Sequence, residues 1–199
     1  GFDFPGFGHL FQFGEVAHIA DKGIEEGEVT PLIIVMPNGK VTWYCNDYKK
    51  ANPWEDMFIK EFIPTIESKY RIRAQKHFRA ISGLSMGGYG SLMLSMRYTD
   101  MFASCVAFSA GVFSDQEIID QPEETYNMYF KEIYGKGLTG NKRISENWKE
   151  HSPLHLIYNV PMDKLKSVRY YIDCGDDDFL FEGNSQLRSE EHTSELQSP

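Results

Sequence analysis

The run Ile81-Ser-Gly-Leu-Ser-Met-Gly-Gly-Tyr-Gly90 constrains this chain more than any other stretch of it. Apolar residues at 78–82 lead into it, and Leu92, Met93 and Met96 follow at helical spacing, so it reads as strand, sharp turn and helix in immediate succession. A turn that tight leaves no room for side chains two residues to either side of Ser85, which is where Gly83 and Gly87 stand. Further apolar runs at 31–36, 103–109 and 168–174 read as strands, the first two buried and the first stopped by Pro37-Asn-Gly39. Strands alternating with helical patterns predict an α/β fold, a mainly parallel sheet flanked by helices.

Residues 1–8, rich in glycine and phenylalanine, read as a loop. Val16, Ile19, Ala20 and Ile24 predict a helix over 14–26 that ends near Gly27. Asn52-Pro-Trp-Glu55 predicts a second helix, with Asn52 as its N-cap, Pro53 at the first helical position and Glu55 at the third. Met57, Phe58, Phe62, Ile66 and Tyr70 supply its apolar face, and Pro64 kinks it or ends its first part. Residues 115–160 read as a mostly helical, polar insertion over the sheet, broken at Gly135, Gly137, Gly140 and Pro153.

Ser85 is the candidate nucleophile. A Gly-x-Ser-x-Gly pattern arises by accident in roughly one chain in fifteen of this length, so the strand before it and the helix after it carry the argument. The helix turns its positive end toward the reacting oxygen, and the Met86 backbone N–H is the candidate oxyanion donor. An acid and then a histidine follow such a serine along the chain. Asp176, Asp177 and Asp178 stand just past the last strand, where one of them would accept an imidazole N–H; a calcium loop is the competing reading of the trio. Of His9, His18, His77, His151, His155 and His192, only His192 follows these acids, within a polar tail that has no strand or helix pattern. The others read as exposed or packing side chains, so the base is expected to be missing.

The 199 residues, 41% of them hydrophobic, suffice for one domain with a substantial core. A net charge of -9 disfavours a phosphate-binding surface, hence a nucleic-acid partner, and no apolar run is long enough for a membrane span. Cys45, Cys105 and Cys174 read as reduced core residues rather than a disulfide framework or zinc site, and no cofactor or metal is expected.

With these residues in place, the chain resembles the esterase D and feruloyl esterase-like branch of the α/β-hydrolases along most of 15–187. The resemblance rests on Pro31-Leu-Ile-Ile-Val-Met-Pro37, Trp54-Glu-Asp with Lys60-Glu-Phe-Ile-Pro64, Arg79-Ala-Ile-Ser-Gly-Leu-Ser-Met-Gly-Gly88, Phe102-Ala with Phe108-Ser-Ala110, and Asp173-Cys-Gly175 with Asp178-Phe-Leu180. It implies a serine esterase acting through an acyl-serine on small-molecule or carbohydrate esters such as feruloyl or acetyl groups. Ser85 would attack, a histidine would move the proton, and Asp178, third after Gly175, would orient it. A mycolyltransferase-like acyltransferase and a catalytically silent binding module are the alternatives.

Trp43, Tyr44, Asn46 and Trp54 are the candidate lining of an aromatic acyl or sugar pocket, with packing as the competing role. The resemblance also implies early strands and a His-Gly loop ahead of residue 1, and a histidine region beyond Leu187. Residues 1–187 are thus expected to form a partial esterase domain that leaves apolar surface uncovered. Residues 188–199 are expected to be a non-native tail, since 188–198 resemble the translation of a sequencing adapter.

Overall fold

The computed structural model describes residues 15–193, with side chains to 189, in two compact units, Gly1–Lys40 and Val41–Pro199. The loop expected at 1–8 and the end of the tail lie outside the described residues. In the first unit, α1 (Val16–Glu25) stops as its glycines predict: Gly27 takes φ 75°, and the N–H groups of Glu28 and Val29 both return to the Gly23 carbonyl at 2.9 Å. The strand expected at 31–36 is not formed among the described residues. Leu32, Ile33, Ile34 and Val35 are 40 to 51% exposed, and residues 30–39 join no sheet. An apolar run becomes a strand only where neighbours take its backbone N–H and C=O groups, and no described strand does so.

In the second unit a helical arm precedes the sheet. α2 (Trp54–Met57) continues through a π-helical turn, Phe58–Phe62, into α3 (Ile63–Lys69). Pro64 accounts for the π turn, because it lacks an N–H and its ring crowds the carbonyl four residues back. The wider turn, closed by the Ile63 N–H on the Phe58 carbonyl, lets the chain enter α3 with proline in its first turn. The arm begins one residue later than expected: Pro53 is the cap residue, and the Asn52 side chain donates instead to Asp47. Its buried residues are Glu55, Phe58, Ile59 and Ile63, whereas Tyr70, expected on the apolar face, is 53% exposed. The π turn shifts the helical phase, which a constant-period reading does not follow.

β1 (Ala80–Leu84), β2 (Ser104–Phe108) and β3 (Arg169–Asp173) form a parallel sheet in that order. Its register aligns Ile81 with Cys105 and Tyr170, and Gly83 with Ala107 and Ile172, on the face turned to the core. The opposite face is more open than the buried strand expected at 103–109. Leu84, Phe108 and Tyr171 on it are 37 to 56% exposed. Between β1 and β2 runs α4 (Met86–Arg97), which packs on both strands and is buried from Gly88 to Met96. A helix this apolar around its circumference is a core element rather than a surface one.

After β2 come α5 (Asp115–Asp120), α6 (Glu123–Tyr129), α7 (Lys131–Tyr134), α8 (Glu146–His151), α9 (Pro153–Asn159) and α10 (Met162–Leu165). Ser114 and Glu117 close a reciprocal capping box at the start of α5. This region is less polar than expected, since it contributes Ile118, Tyr126, Phe130, Trp148, Leu156 and Ile157 to the core. After β3, α11 (Phe181–Thr193) packs on α9 and buries Leu187, so the tail that reads as patternless continues a helix through position 188. Cys45 and Cys105 are free and buried, with burial pushing both thiols up to about 12; Cys174 is free and half-buried. Among the described residues no helix is long and apolar enough to cross a membrane.

Candidate active site

β1 ends at Leu84 and α4 begins at Met86, so Ser85 alone makes the turn between them. It does so at φ 57° and ψ −116°. Non-glycine residues rarely enter that region, at a cost of about 1–3 kcal/mol, and persist there only when their surroundings hold them. Here the Ser85 N–H donates to the Phe108 carbonyl at 2.9 Å, and its own carbonyl accepts from Gly111 at 2.9 Å and Tyr89 at 3.0 Å. The side chain is left exposed at the end of the strand.

The two motif glycines are not equivalent. A Cβ on Gly83 would sit 2.3 Å from the carbonyl carbon and oxygen of Gly87, an overlap that only backbone movement relieves. A Cβ on Gly87 would meet Tyr44 Oη at 3.6 Å, an ordinary contact. The expectation that both positions exclude side chains is therefore corrected: Gly83 must be small because the Gly87 backbone lies against it. Met86 opens α4, where a first-turn N–H has no acceptor inside the helix.

Asp178 lies in the turn after β3, with its N–H on the Gly175 carbonyl at 3.1 Å and its Oδ1 accepting the Leu180 N–H at 2.9 Å. The Leu180 N–H and then the Ser109 hydroxyl hold its carboxyl below the usual range. Asp176 and Asp177 are exposed. Ser85 follows β1, Ser109 follows β2 and Asp178 follows β3, so all three stand at the carboxyl edge of the sheet, where open α/β sheets carry their sites. Ser109 went unremarked in the sequence because a serine at the end of an apolar strand carries no signal of its own.

The expected aromatic lining is mostly packing. Trp43 is 7% exposed, with its ring 5.2 Å from Tyr89 and 5.1 Å from Phe130, and a Cβ on Gly111 would come within 2.7 Å of it. Tyr44 covers Gly90 and meets the edge of Trp54 at 4.9 Å, and Trp54 stacks on Phe58 at 5.0 Å. Asn46 Oδ1 accepts the Asp56 N–H at 3.1 Å. Trp43 is corrected from pocket lining to core, because its ring is buried against Tyr89, Phe130 and the backbone at Gly111.

Two histidines have carboxylate partners, but at the wrong end of α4. His151 Nε2 is 3.0 Å from Glu55, which also accepts from Arg97 and Tyr98 at the end of the helix. His155 Nε2 is 2.8 Å from Asp115, in a cleft that Arg97 and Tyr98 also line. A helix of 12 residues is about 18 Å long, and Ser85 is at its other end. His77 precedes β1, the opposite end of that strand from Ser85. His18 belongs to the first unit, while His9 and the His192 side chain lie outside the described residues.

A parallel sheet with a strained serine alone between strand and helix, and an acid in the turn after a later strand, defines an α/β-hydrolase. The comparisons agree. The chain belongs to the family described as "Putative esterase", which matches residues 3–197. An endo-1,4-beta-xylanase/feruloyl esterase from Xylanibacter ruminicola is 33% identical over 120 residues, 57% of this chain and 16% of that protein. An acetyl esterase from Caldicellulosiruptor saccharolyticus is 27% identical over 158 residues, 78% of this chain and 58% of that one. A solved ferulic acid esterase superposes with a TM-score of 0.75 at 29% identity, covering 96% of this chain and 69% of its own. The chain thus spans less than two thirds of either curated relative.

Proposed function

We propose that the protein to which this chain belongs is a carboxylic ester hydrolase working through an acyl-serine intermediate on Ser85. The observation that carries this reading is the backbone of Ser85, a strained non-glycine residue held by three hydrogen bonds with its side chain exposed. Such strain survives where a side chain must be presented in one direction. Ser85 Oγ attacks the ester carbonyl, and the Met86 N–H stabilises the oxyanion that forms. Asp178 accepts the N–H of the imidazole that takes the serine proton, and water then releases the acid.

The names of the relatives favour feruloyl or acetyl esters of carbohydrates as substrates. The half-buried Tyr44 and Trp54 remain the candidate contacts for the ester's acyl or sugar part. The test is turnover of p-nitrophenyl acetate and methyl ferulate by the complete reading frame that contains this segment. Ser85→Ala is expected to abolish both, and undiminished turnover in that variant would overturn the assignment.

A further inference from the structure

We infer that Asn184 is a positioning residue: its side-chain amide ties the loop that holds Ser85 to the turn that carries Asp178, and so sets one against the other. The inference rests on the reading of Asp178 as the triad acid.

Asn184 is in the first turn of α11 and is 3% exposed. Its Nδ2 donates to the Ala110 carbonyl and to the Leu180 carbonyl, each at 2.8 Å. Ala110 belongs to the loop that grips the elbow, where the Phe108 carbonyl and the Gly111 N–H hold the two sides of Ser85, each at 2.9 Å. Leu180 belongs to the turn that holds the acid: its N–H donates to Asp178 Oδ1 at 2.9 Å, and the Phe181 N–H donates to the Asp178 carbonyl at 2.9 Å. A primary amide has two N–H groups, and Asn184 places one on each half of the site.

The backbone makes room for this tie. A Cβ on Gly183 would overlap the Val112 carbonyl, so α11 comes directly against residues 110–112 and the next side chain reaches Ala110. Stability does not account for the amide. The Ala110 carbonyl also accepts from the Val112 N–H at 2.7 Å, and the Leu180 carbonyl from the Asn184 N–H at 3.3 Å, so neither is left unpaired without the side chain. Asn184 Oδ1 is buried with no hydrogen-bond partner among the described residues, which counts against an amide there. Leucine, of nearly the same shape, would serve the core as well. It would not fix the separation of loop and turn.

Asn184→Leu and Asn184→Ala both remove the two donors, and the complete reading frame is the protein to test. In both variants kcat on methyl ferulate is expected to fall about tenfold with KM within about twofold of the parent, because aligning acid and nucleophile matters when the proton moves rather than when substrate binds. Amide hydrogen exchange at Gly111 and Leu180 is expected to quicken together by about tenfold, with exchange in β1 and β2 unchanged and the leucine variant melting close to the parent. Parental kcat in both variants, or unmoved exchange at Gly111 and Leu180, would overturn the inference. So would a melting temperature that collapses in both, since the amide would then be serving the fold alone. Activity that survives Ser85→Ala would instead overturn the functional reading, and the exchange measurement does not depend on that outcome.

Discussion

Glu55 Oε2 lies 3.0 Å from His151 Nε2, while its Oε1 accepts from Arg97 Nε at 2.8 Å and Tyr98 Oη at 2.7 Å. Burial by itself would raise the Glu55 carboxyl, but the His151 hydrogen bond and the Arg97 charge more than offset it and bring it from 4.5 to about 2. A carboxylate depressed in the folded state stabilises it above its unfolded value and loses that contribution as pH falls from 4.5 through 2. The whole window is worth about 3 kcal/mol, of which about 2 kcal/mol is gone by pH 3. Urea melts of the parent and Glu55→Gln at pH 7 and pH 3 should show the gap between them narrowing in acid. A gap of constant size would mean that the carboxylate charge is not what matters there.

The asymmetry of the elbow glycines gives a second expectation. Gly83→Ala should destabilise by more than about 3 kcal/mol or prevent folding, because the new methyl meets the Gly87 backbone in the first turn of the buried helix α4. Gly87→Ala, in the first turn of α4 with room around it, should stay within about 1 kcal/mol of the parent. Thermal melts of the two variants check the pair, and equal losses would show that the two positions are equally crowded.

Ser85 itself should be more stable as glycine than as alanine. Both substitutions remove the hydroxyl, but only glycine adopts φ 57°, ψ −116° without steric cost. Relief of strain exceeds the extra unfolded-state entropy of glycine, leaving an expected difference of about 1 kcal/mol in favour of Ser85→Gly. Denaturant midpoints at constant m-value measure it, and an alanine variant that equals the glycine one would remove strain from the account of the elbow.

Trp43→Ala is expected to cost about 3–5 kcal/mol, the range for emptying a buried aromatic site. A pocket-lining role would leave the melting temperature intact and alter KM alone, so a stability measurement decides between the two.

The elbow was legible in sequence because its chemistry is local: strand, serine and helix occupy consecutive residues, and Gly83 reports the close approach directly. The choice of Asp178 rests on the family resemblance, since three adjacent aspartates are equivalent in sequence. The Glu55 cluster was not legible, because its partners are distant in sequence: Arg97 and Tyr98 stand at the end of α4, and His151 ends α8. The run at 31–36 failed for the opposite reason. Its composition suits a strand, but pairing is a property of neighbours. Trp43 shows the same limit, since an aromatic in a polar loop reads alike whether it faces a ligand or a glycine.

The π turn at Phe58–Phe62 sets the phase of everything after it. One residue more or less in a helix rotates the following surface by about 100°, so the wide turn is what brings Ile63 into line with Phe58, whose carbonyl accepts its N–H. The arm is therefore indexed like a screw with one slipped thread. Deleting a residue between Phe58 and Phe62 would leave Ile63 on the side of Phe58, now four residues after it, but would close the wide turn and bring Pro64 back against the carbonyl that the slip avoids.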